Sequence, residues 1–494
     1  MRRFVGFSEL VAVRAGETPD RVCLRFFADG AVRNLSWAEF GERIATRAEE
    51  LLQAGARCEA VLPDGSVASV VEVFAATAAG LQVALIDANY RDEQALSCAR
   101  LCDADALWCA ERRRPSLEAA LRASAGAAGP DSGPGSDELP ATAATDCGSV
   151  PASPNSAAAA SVDGPVPGAV LFFTSGTTSA GKVVKLSDKS LMSSAFNGSS
   201  LLPLDPDDEV LCALPLSHVF GFVCGVLWDM ECDAPVSLGR GIRAFYQDLS
   251  LFDPTVCPLV PNLLSHALDA QAFGKRMRLV LTGASACPPE LASRARERGI
   301  DVSAGYGLTE TSSGVALSLG SDINAMTICP DCEIRISEDS EVLVKAPTCV
   351  MKGYYRNPEA TARALPDDYL KTGDEGFIDV RGKLHVTGRL GDVLVLPNGE
   401  KVRVPDCERA VARNLHEPDC ALVKAGGKLV LVFGSVSPEV AALSKGDLLK
   451  RVTVALEGVA RGGLIADVVR LGAPLPRTAS GDVKRWQVLD EVQK

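Results

Sequence analysis

The stretch that most constrains this chain is Phe173-Thr174-Ser175-Gly176-Thr177-Thr178-Ser179-Ala180-Gly181-Lys182. It follows the apolar run Ala169-Val170-Leu171-Phe172-Phe173, which reads as a buried strand. Five hydroxyls and two glycines then lead to a lysine. Glycine lets the backbone turn its N–H groups inward, hydroxyls add donors, and the lysine adds charge, so the stretch suits a polyphosphate. Gly176-x4-Gly181-Lys182 approaches the Walker pattern, but Val183 stands where that pattern needs Ser or Thr to hold Mg²⁺. A Walker-type NTPase is therefore a poor reading. A Ser/Thr/Gly surface loop without a ligand is the plain alternative.

At 494 residues the chain is too long for one ordinary core, so at least two domains are expected. Hydrophobic residues at 47% are enough to fill sizeable cores. A formal net charge of −13 argues against a general nucleic-acid binder and gives no support to a role at anionic membranes. No apolar run reaches the length of a spanning helix, and Met1-Arg2-Arg3-Phe4-Val5-Gly6 lacks a signal-peptide core, so a cytoplasmic location is expected. The 16 cysteines are scattered without framework spacing and read as reduced, mostly buried thiols. Cys329-Pro330-Asp331-Cys332 has no spaced partner among His218, His266, His385 and His416, and a zinc site needs about two further ligands. A structural role is the better reading of that pair, with a redox role second.

Residues 1–121 alternate helical and strand patterns. Ala38-Glu39-Phe40-Gly41-Glu42-Arg43-Ile44, running on to Leu51-Leu52, is an amphipathic helix with Ser36 as its cap. Ala60-Val61-Leu62 and the run from Gln82 to Asp87 read as strands around a helix over 67–80. This alternation predicts an α/β layered domain with parallel strands. Residues 122–168 are rich in Ala, Gly, Ser and Pro and lack aromatics, so a mostly disordered insertion is expected there. Alternation resumes to about 390, with Leu279-Val280-Leu281 leaving into Thr282-Gly283-Ala284-Ser285. The last hundred-odd residues carry a pattern of their own, with a hairpin over 420–433 and a helix near 448–459. The expected fold is thus a large layered α/β domain over 1–390, with mixed and parallel sheets, and a small α+β domain over 391–494.

Further stretches complete the chemistry. They are Leu214-Pro215-Leu216-Ser217-His218, Gly305-Tyr306-Gly307-Leu308-Thr309-Glu310, Thr372-Gly373-Asp374 and Gly388-Arg389-Leu390-Gly391-Asp392. Taken with the hydroxyl-rich stretch and in this order, they resemble the adenylate-forming enzymes, a family that includes acyl-CoA synthetases, luciferases and peptide-synthetase adenylation domains. Ser179, Gly181 and Val183 stand where that family has Gly, Pro and Gly. The resemblance implies that Thr174, Ser175, Gly176, Thr177, Thr178 and Lys182 hold the phosphates of ATP. It implies that Tyr306 and Gly307 meet adenine, Thr309 binds phosphate or carboxylate, and Glu310 holds Mg²⁺. Asp374 and Arg389 would take the ribose, Gly283, Ala284 and Ser285 would complete the nucleotide site, and His218 would stand beside the acyl group. Gly353-Tyr354-Tyr355-Arg356-Asn357-Pro358 also resembles the family and is read as structural support. In this family the C-terminal domain rotates, here about Gly391, where glycine absorbs a large dihedral change cheaply.

One position departs. Pro476-Arg477-Thr478-Ala479-Ser480-Gly481-Asp482 puts an acid where the family has its carboxylate-orienting lysine. Lys484, two residues on, is the candidate replacement. The resulting expectation is an acyl-CoA synthetase that joins a carboxylic acid, fatty or aryl, to AMP and then to a thiol. Coenzyme A is the expected acceptor and an acyl-carrier protein the alternative. A nucleotide-binding regulatory protein impaired in adenylation is the reading from another class.

Overall fold

The computed structural model describes residues 2–126, 149–151, 165–174, 181–395, 401–426, 428–459, 464–477 and 483–493. Ser175, Gly176, Thr177, Thr178 and Asp482 lie outside the described residues.

The first hundred residues fold as their local chemistry dictates. Helix Trp37–Ala54 starts at a capping box, with Ser36 accepting from the Glu39 amide and Glu39 returning a bond to the Ser36 amide at 2.8 Å. It ends on Gly55 at φ 70°, the left-handed geometry that glycine tolerates. Strands Cys58–Val61 and Gln82–Leu85 pair in parallel and are buried along their whole length. Helix Val67–Ala78 makes the crossover between them and is itself almost wholly buried. Strands covered on both faces cannot alternate polar with apolar residues, which is why they read as continuous apolar runs.

Among the described residues these strands belong to a seven-stranded sheet. Its parallel centre adds Ala106–Trp108 and Ala169–Phe173. On one side Ala169–Phe173 pairs antiparallel with Val183–Ser187, which in turn pairs with the two-residue strand Gly353–Tyr354. At the other edge Ser149–Pro151 pairs with Ala106–Trp108. Two pieces of the expected insertion are therefore ordered: helix Arg114–Gly126 runs past 122, and Val150 pairs with Leu107. Small residues still satisfy backbone donors along a sheet edge, which composition alone does not reveal. Residues 127–148 and 152–164 lie outside the described residues.

The second sheet has 13 strands. Val22–Ala28, Val236–Leu238, Val210–Cys212, Val256–Leu259, Leu279–Thr282 and Asp301–Leu308 form its parallel part. From Asp301–Leu308 onward the pairing turns antiparallel, through Ser313–Ser318 to Leu370–Ile378 and Leu384–Arg389. Beyond residue 400 the chain builds separate cores. Strands Cys420–Ala425 and Lys428–Phe433 form the expected hairpin, Asp467–Arg470 adds a parallel strand, and helix Lys445–Ala455 covers them. Phe433, Leu431, Val411 and Leu448 fill that interior with no exposed surface. Every cysteine among the described residues is free.

Candidate functional site

The hydroxyl-rich stretch leaves one strand and returns on its neighbour, since Phe173 pairs with Val183. A Walker loop runs from strand to helix instead, so the topology removes that reading together with Val183. The base of the stretch is closed twice. The Thr174 amide donates to the Lys182 carbonyl at 2.9 Å, and the Lys182 amide donates to Thr174 Oγ1 at 2.9 Å. Gly181 is required by this closure, because a Cβ there would lie 2.4 Å from the Thr174 carbonyl oxygen.

With its backbone fixed, Lys182 projects an exposed ammonium whose Nζ lies 4.5 Å from the centroid of the Tyr354 ring. The hydroxyl of the same tyrosine donates to Glu310 Oε1 at 2.7 Å. Tyr354 is 7% exposed, and burial together with Glu310 pushes its phenol well above the ordinary value, so it remains a donor. Glu310 sits in the turn Thr309–Thr311 that follows strand Asp301–Leu308. This turn reverses through Ser312 at φ 57° and Ser313 at φ 119°, unusual values for residues with side chains. Thr311 Oγ1 accepts from the Leu308 amide at 2.8 Å, and Ser312 Oγ donates to the Cys349 carbonyl at 2.6 Å. Met351 N donates to the Glu310 carbonyl at 2.8 Å.

A few residues back on the same strand, Tyr306 donates its hydroxyl to Asp374 Oδ2 at 2.8 Å. Arg389 Nε lies 2.8 Å from Asp374 Oδ1, as the direct register of Asp374 with Arg389 across the antiparallel pair requires. Burial pushes the Asp374 carboxyl upward, and the Arg389 charge and the Tyr306 bond oppose that shift. Asp374 is 4% exposed while Arg389 reaches into solvent, so the pair presents a buried acceptor beneath an open cation.

His218 precedes the short helix Val219–Phe222, and its Nε2 lies 4.0 Å from Asp87 Oδ2. Asp87 lies just past the C-terminal end of strand Gln82–Leu85, where ligands of parallel sheets gather. Its Oδ1 holds the amide and the side chain of Asn89 at 2.8 and 3.0 Å. Burial pushes the imidazole below its usual 6.5, and Asp87 partly opposes this. The unfolded chain therefore binds the proton more tightly, and the His218 contribution to stability is complete above about pH 6.5 and falls away in more acid solution. Chemical denaturation between pH 5 and 8 should show a smaller acid loss in His218→Gln than in the parent. Equal slopes would exclude this assignment.

Gly283 leaves the end of strand Leu279–Thr282 under the Phe220 ring, whose nearest atom is 3.0 Å from where a Cβ would stand. Ala284 at φ 65° and Ser285 are exposed beyond it. Lys182 and Glu310 are thus brought to one tyrosine, and Tyr306, Asp374 and Arg389 are joined directly. Gly307 lies between Tyr306 and Thr309. Lys484 is elsewhere: its amide bonds the Pro476 carbonyl, and among the described residues no contact ties its side chain to Lys182, Thr309 or Glu310. Gly391 lies in the turn Leu390–Asp392 with nothing within 4 Å of where a Cβ would stand, so this pose makes no demand for glycine there.

Tyr354 and Asp87 are the residues the motifs did not single out. Gly353-Tyr354 was visible as a supporting stretch, but its pairing with Lys185 and Val184 was not. Among the described residues no group of three or more His, Cys, Asp or Glu is placed to hold a metal alone. Glu310 suits a cation that brings phosphate and water ligands of its own, as Mg²⁺ does.

Fold and site together define a mixed-sheet α/β protein in which Tyr354 joins Lys182 to Glu310 and Asp374 joins Tyr306 to Arg389. The AMP-binding enzyme family matches residues 11–355, and the chain belongs to that family. Indoleacetate–CoA ligase of Aromatoleum aromaticum is 30% identical over 349 residues, 66% of this chain and 67% of its own. 2-Succinylbenzoate–CoA ligase of Bacillus velezensis is 29% identical over 347 residues, 66% and 69% of the two chains. A bicyclic propanoyl:CoA ligase of Mycobacterium tuberculosis is 31% identical over 272 residues, and there the match spans about half of each protein, 51% and 52%. In three dimensions the chain resembles O-succinylbenzoate coenzyme A synthetase of Bacillus subtilis in complex with AMP, with TM-score 0.76, 21% identity and 97% of each chain covered. Among the described residues no helix is long and apolar enough to cross a membrane.

Proposed function

We propose that this protein activates a carboxylic acid with ATP, forming an acyl-adenylate and pyrophosphate, and then passes the acyl group to a thiol. The observation that carries the reading is a pair of contacts: Tyr354 touches both Lys182 and Glu310, and Asp374 is held by both Tyr306 and Arg389. A phosphate-binding cation, a carboxylate for a hard cation and a ribose acceptor are the groups a bound nucleotide with Mg²⁺ would call on. The curated relatives support the ligase class, and they span indoleacetate, succinylbenzoate, oxalate and long-chain fatty acids.

In this reading the substrate carboxylate attacks the α-phosphorus, the bond to the bridging oxygen breaks, and pyrophosphate leaves. Lys182 stabilises charge on the departing phosphates, and fixed geometry supplies much of the acceleration. Bound Mg²⁺, held by Glu310, would neutralise that charge further. Tyr306 lies along the base, Asp374 and Arg389 hold the ribose, Thr309 meets phosphate or carboxylate, and His218 borders the acyl group. The stretch around His218 has no clear counterpart of the aspartate with which amino-acid-activating members of the family hold a substrate ammonium, which favours a fatty or aryl acid. Residues 391–494 would then swing about Gly391 so that coenzyme A, or a carrier protein's phosphopantetheine, attacks the acyl-adenylate and releases AMP.

A second reading rests on Asp482. An anion in place of the orienting lysine opposes adenylation, which favours a nucleotide-binding regulatory protein unless Lys484 substitutes. Acid-dependent ATP–pyrophosphate exchange across fatty and aryl acids decides between them. Exchange in the parent that collapses in Lys484→Ala supports the enzyme and the replacement lysine. No exchange with any acid, gained in Asp482→Lys, supports loss of the first half-reaction, and with it the regulatory reading or a protein that forms only the thioester from a supplied adenylate.

A further inference from the structure

Lys182 and Glu310 carry opposite charges and both contact Tyr354, yet no ion pair joins them among the described residues. The ring face takes the ammonium and the hydroxyl takes the carboxylate. Tyr354 itself is held from several directions. Its amide bonds Thr361 Oγ1 at 2.9 Å, and Tyr355 N and Lys352 N bond the carbonyls of Val183 and Lys185 at 2.7 and 2.9 Å. Gly353 sits at φ 133°, and a Cβ there would stand 2.8 Å from the Thr361 methyl. Two residues before Gly353, Met351 is fastened to the Glu310 carbonyl, and Cys349 is fastened to Ser312. The segment 349–355 therefore straps the turn carrying Glu310 to the strand that follows Lys182.

Backbone pairing alone would explain a buried side chain at 354. It does not explain a hydroxyl spent on a carboxylate whose expected partner is a cation. A lysine and a glutamate closing directly on each other would have to be parted before phosphates and cation could enter, at the cost of a partly desolvated ion pair. A neutral donor and an aromatic face hold both charges in place while cancelling neither.

Resting on the nucleotide reading above, we infer that Tyr354 is a positioning residue that presents Glu310 to the Mg²⁺ of MgATP and keeps Lys182 free for the phosphates. Losing the hydroxyl leaves the pocket its shape but lets Glu310 turn away. The effect is then felt as a weaker response to Mg²⁺ and not as a general loss of nucleotide affinity.

The test is calorimetric binding of ATP to the full-length protein without any acid, at Mg²⁺ concentrations from limiting to saturating. The parent, Tyr354→Phe, Glu310→Gln and the double variant are compared, with thermal unfolding recorded for each. Tyr354→Phe should raise the Mg²⁺ needed for half-maximal binding by about tenfold, as loss of a hydrogen bond to a charged group implies. Affinity should recover at saturating Mg²⁺, and the double variant should be no worse than Glu310→Gln. A loss equal at every Mg²⁺ level, an unchanged requirement, or additive effects of the two substitutions would overturn the inference while leaving the nucleotide reading intact. No ATP binding by the parent at any Mg²⁺ level would overturn both.

Discussion

Lys182→Ala should lower acid-dependent ATP–pyrophosphate exchange by about a hundredfold or more, the scale expected when one preorganised stabiliser of developing charge is removed. The same change should move the melting temperature by only about 1–2 °C. The two effects separate because of what the side chain touches. Its side chain is exposed, and among the described residues its ammonium rests against the Tyr354 ring, an interaction worth about 0.5–1 kcal/mol at an exposed site. The closure of the hairpin uses the Lys182 amide and carbonyl, which alanine retains. Exchange assays and scanning calorimetry on the same preparation check both halves. A large fall in melting temperature matching the fall in exchange would mean that the lysine serves the fold.

Gly307→Ala should fail in the opposite way, losing stability and ATP binding together. A Cβ at 307 would stand 1.8 Å from the Ser313 carbonyl oxygen, 2.6 Å from its carbon and 2.8 Å from Gly314 Cα. All three are backbone atoms, so no rotamer change relieves the clash, and the register irregularity between Tyr306 and Gly307 has to open. Overpacking of this kind costs about 1–3 kcal/mol, and backbone against backbone belongs at the upper end. Opening it also shifts Tyr306 away from Asp374 and moves the turn that carries Glu310. Gly305→Ala is the control, since the nearest atoms to its Cβ lie at 3.8 and 3.9 Å. Urea unfolding and ATP calorimetry on both variants should show near-parental behaviour for Gly305→Ala alone.

Much of the fold was legible because it depends on neighbours in the chain. Ser36 caps its helix through a residue three places on, and the strands Gln82–Leu85 and Leu279–Thr282 stand where apolar runs placed them. The C-terminal hairpin stands where its two apolar runs placed it, with Ala425 paired to Lys428. The stretch over 122–168 was less legible. Its helix end and the pairing of Val150 with Leu107 rest on backbone bonds to a distant strand, which small side chains do not advertise. The strained pair Ser312 and Ser313 also left no mark, since nothing in serine forecasts positive φ.

The site divides along the same line. Sequence alone determined its chemical inventory: a lysine after a glycine- and hydroxyl-rich stretch, a glutamate after Gly-Tyr-Gly, and an aspartate in Thr-Gly-Asp. These are local matters of which groups stand on which turn. Tertiary structure alone decided which of them meet. Tyr354 reaches both Lys182 and Glu310 because Tyr354 pairs with Val184 and Gly353 with Lys185. A slip of one residue in that register would send the tyrosine to the other face of the sheet. Side chains alternate across a strand, so the pairing of distant backbones, and no property of the tyrosine itself, sets the face on which it lies.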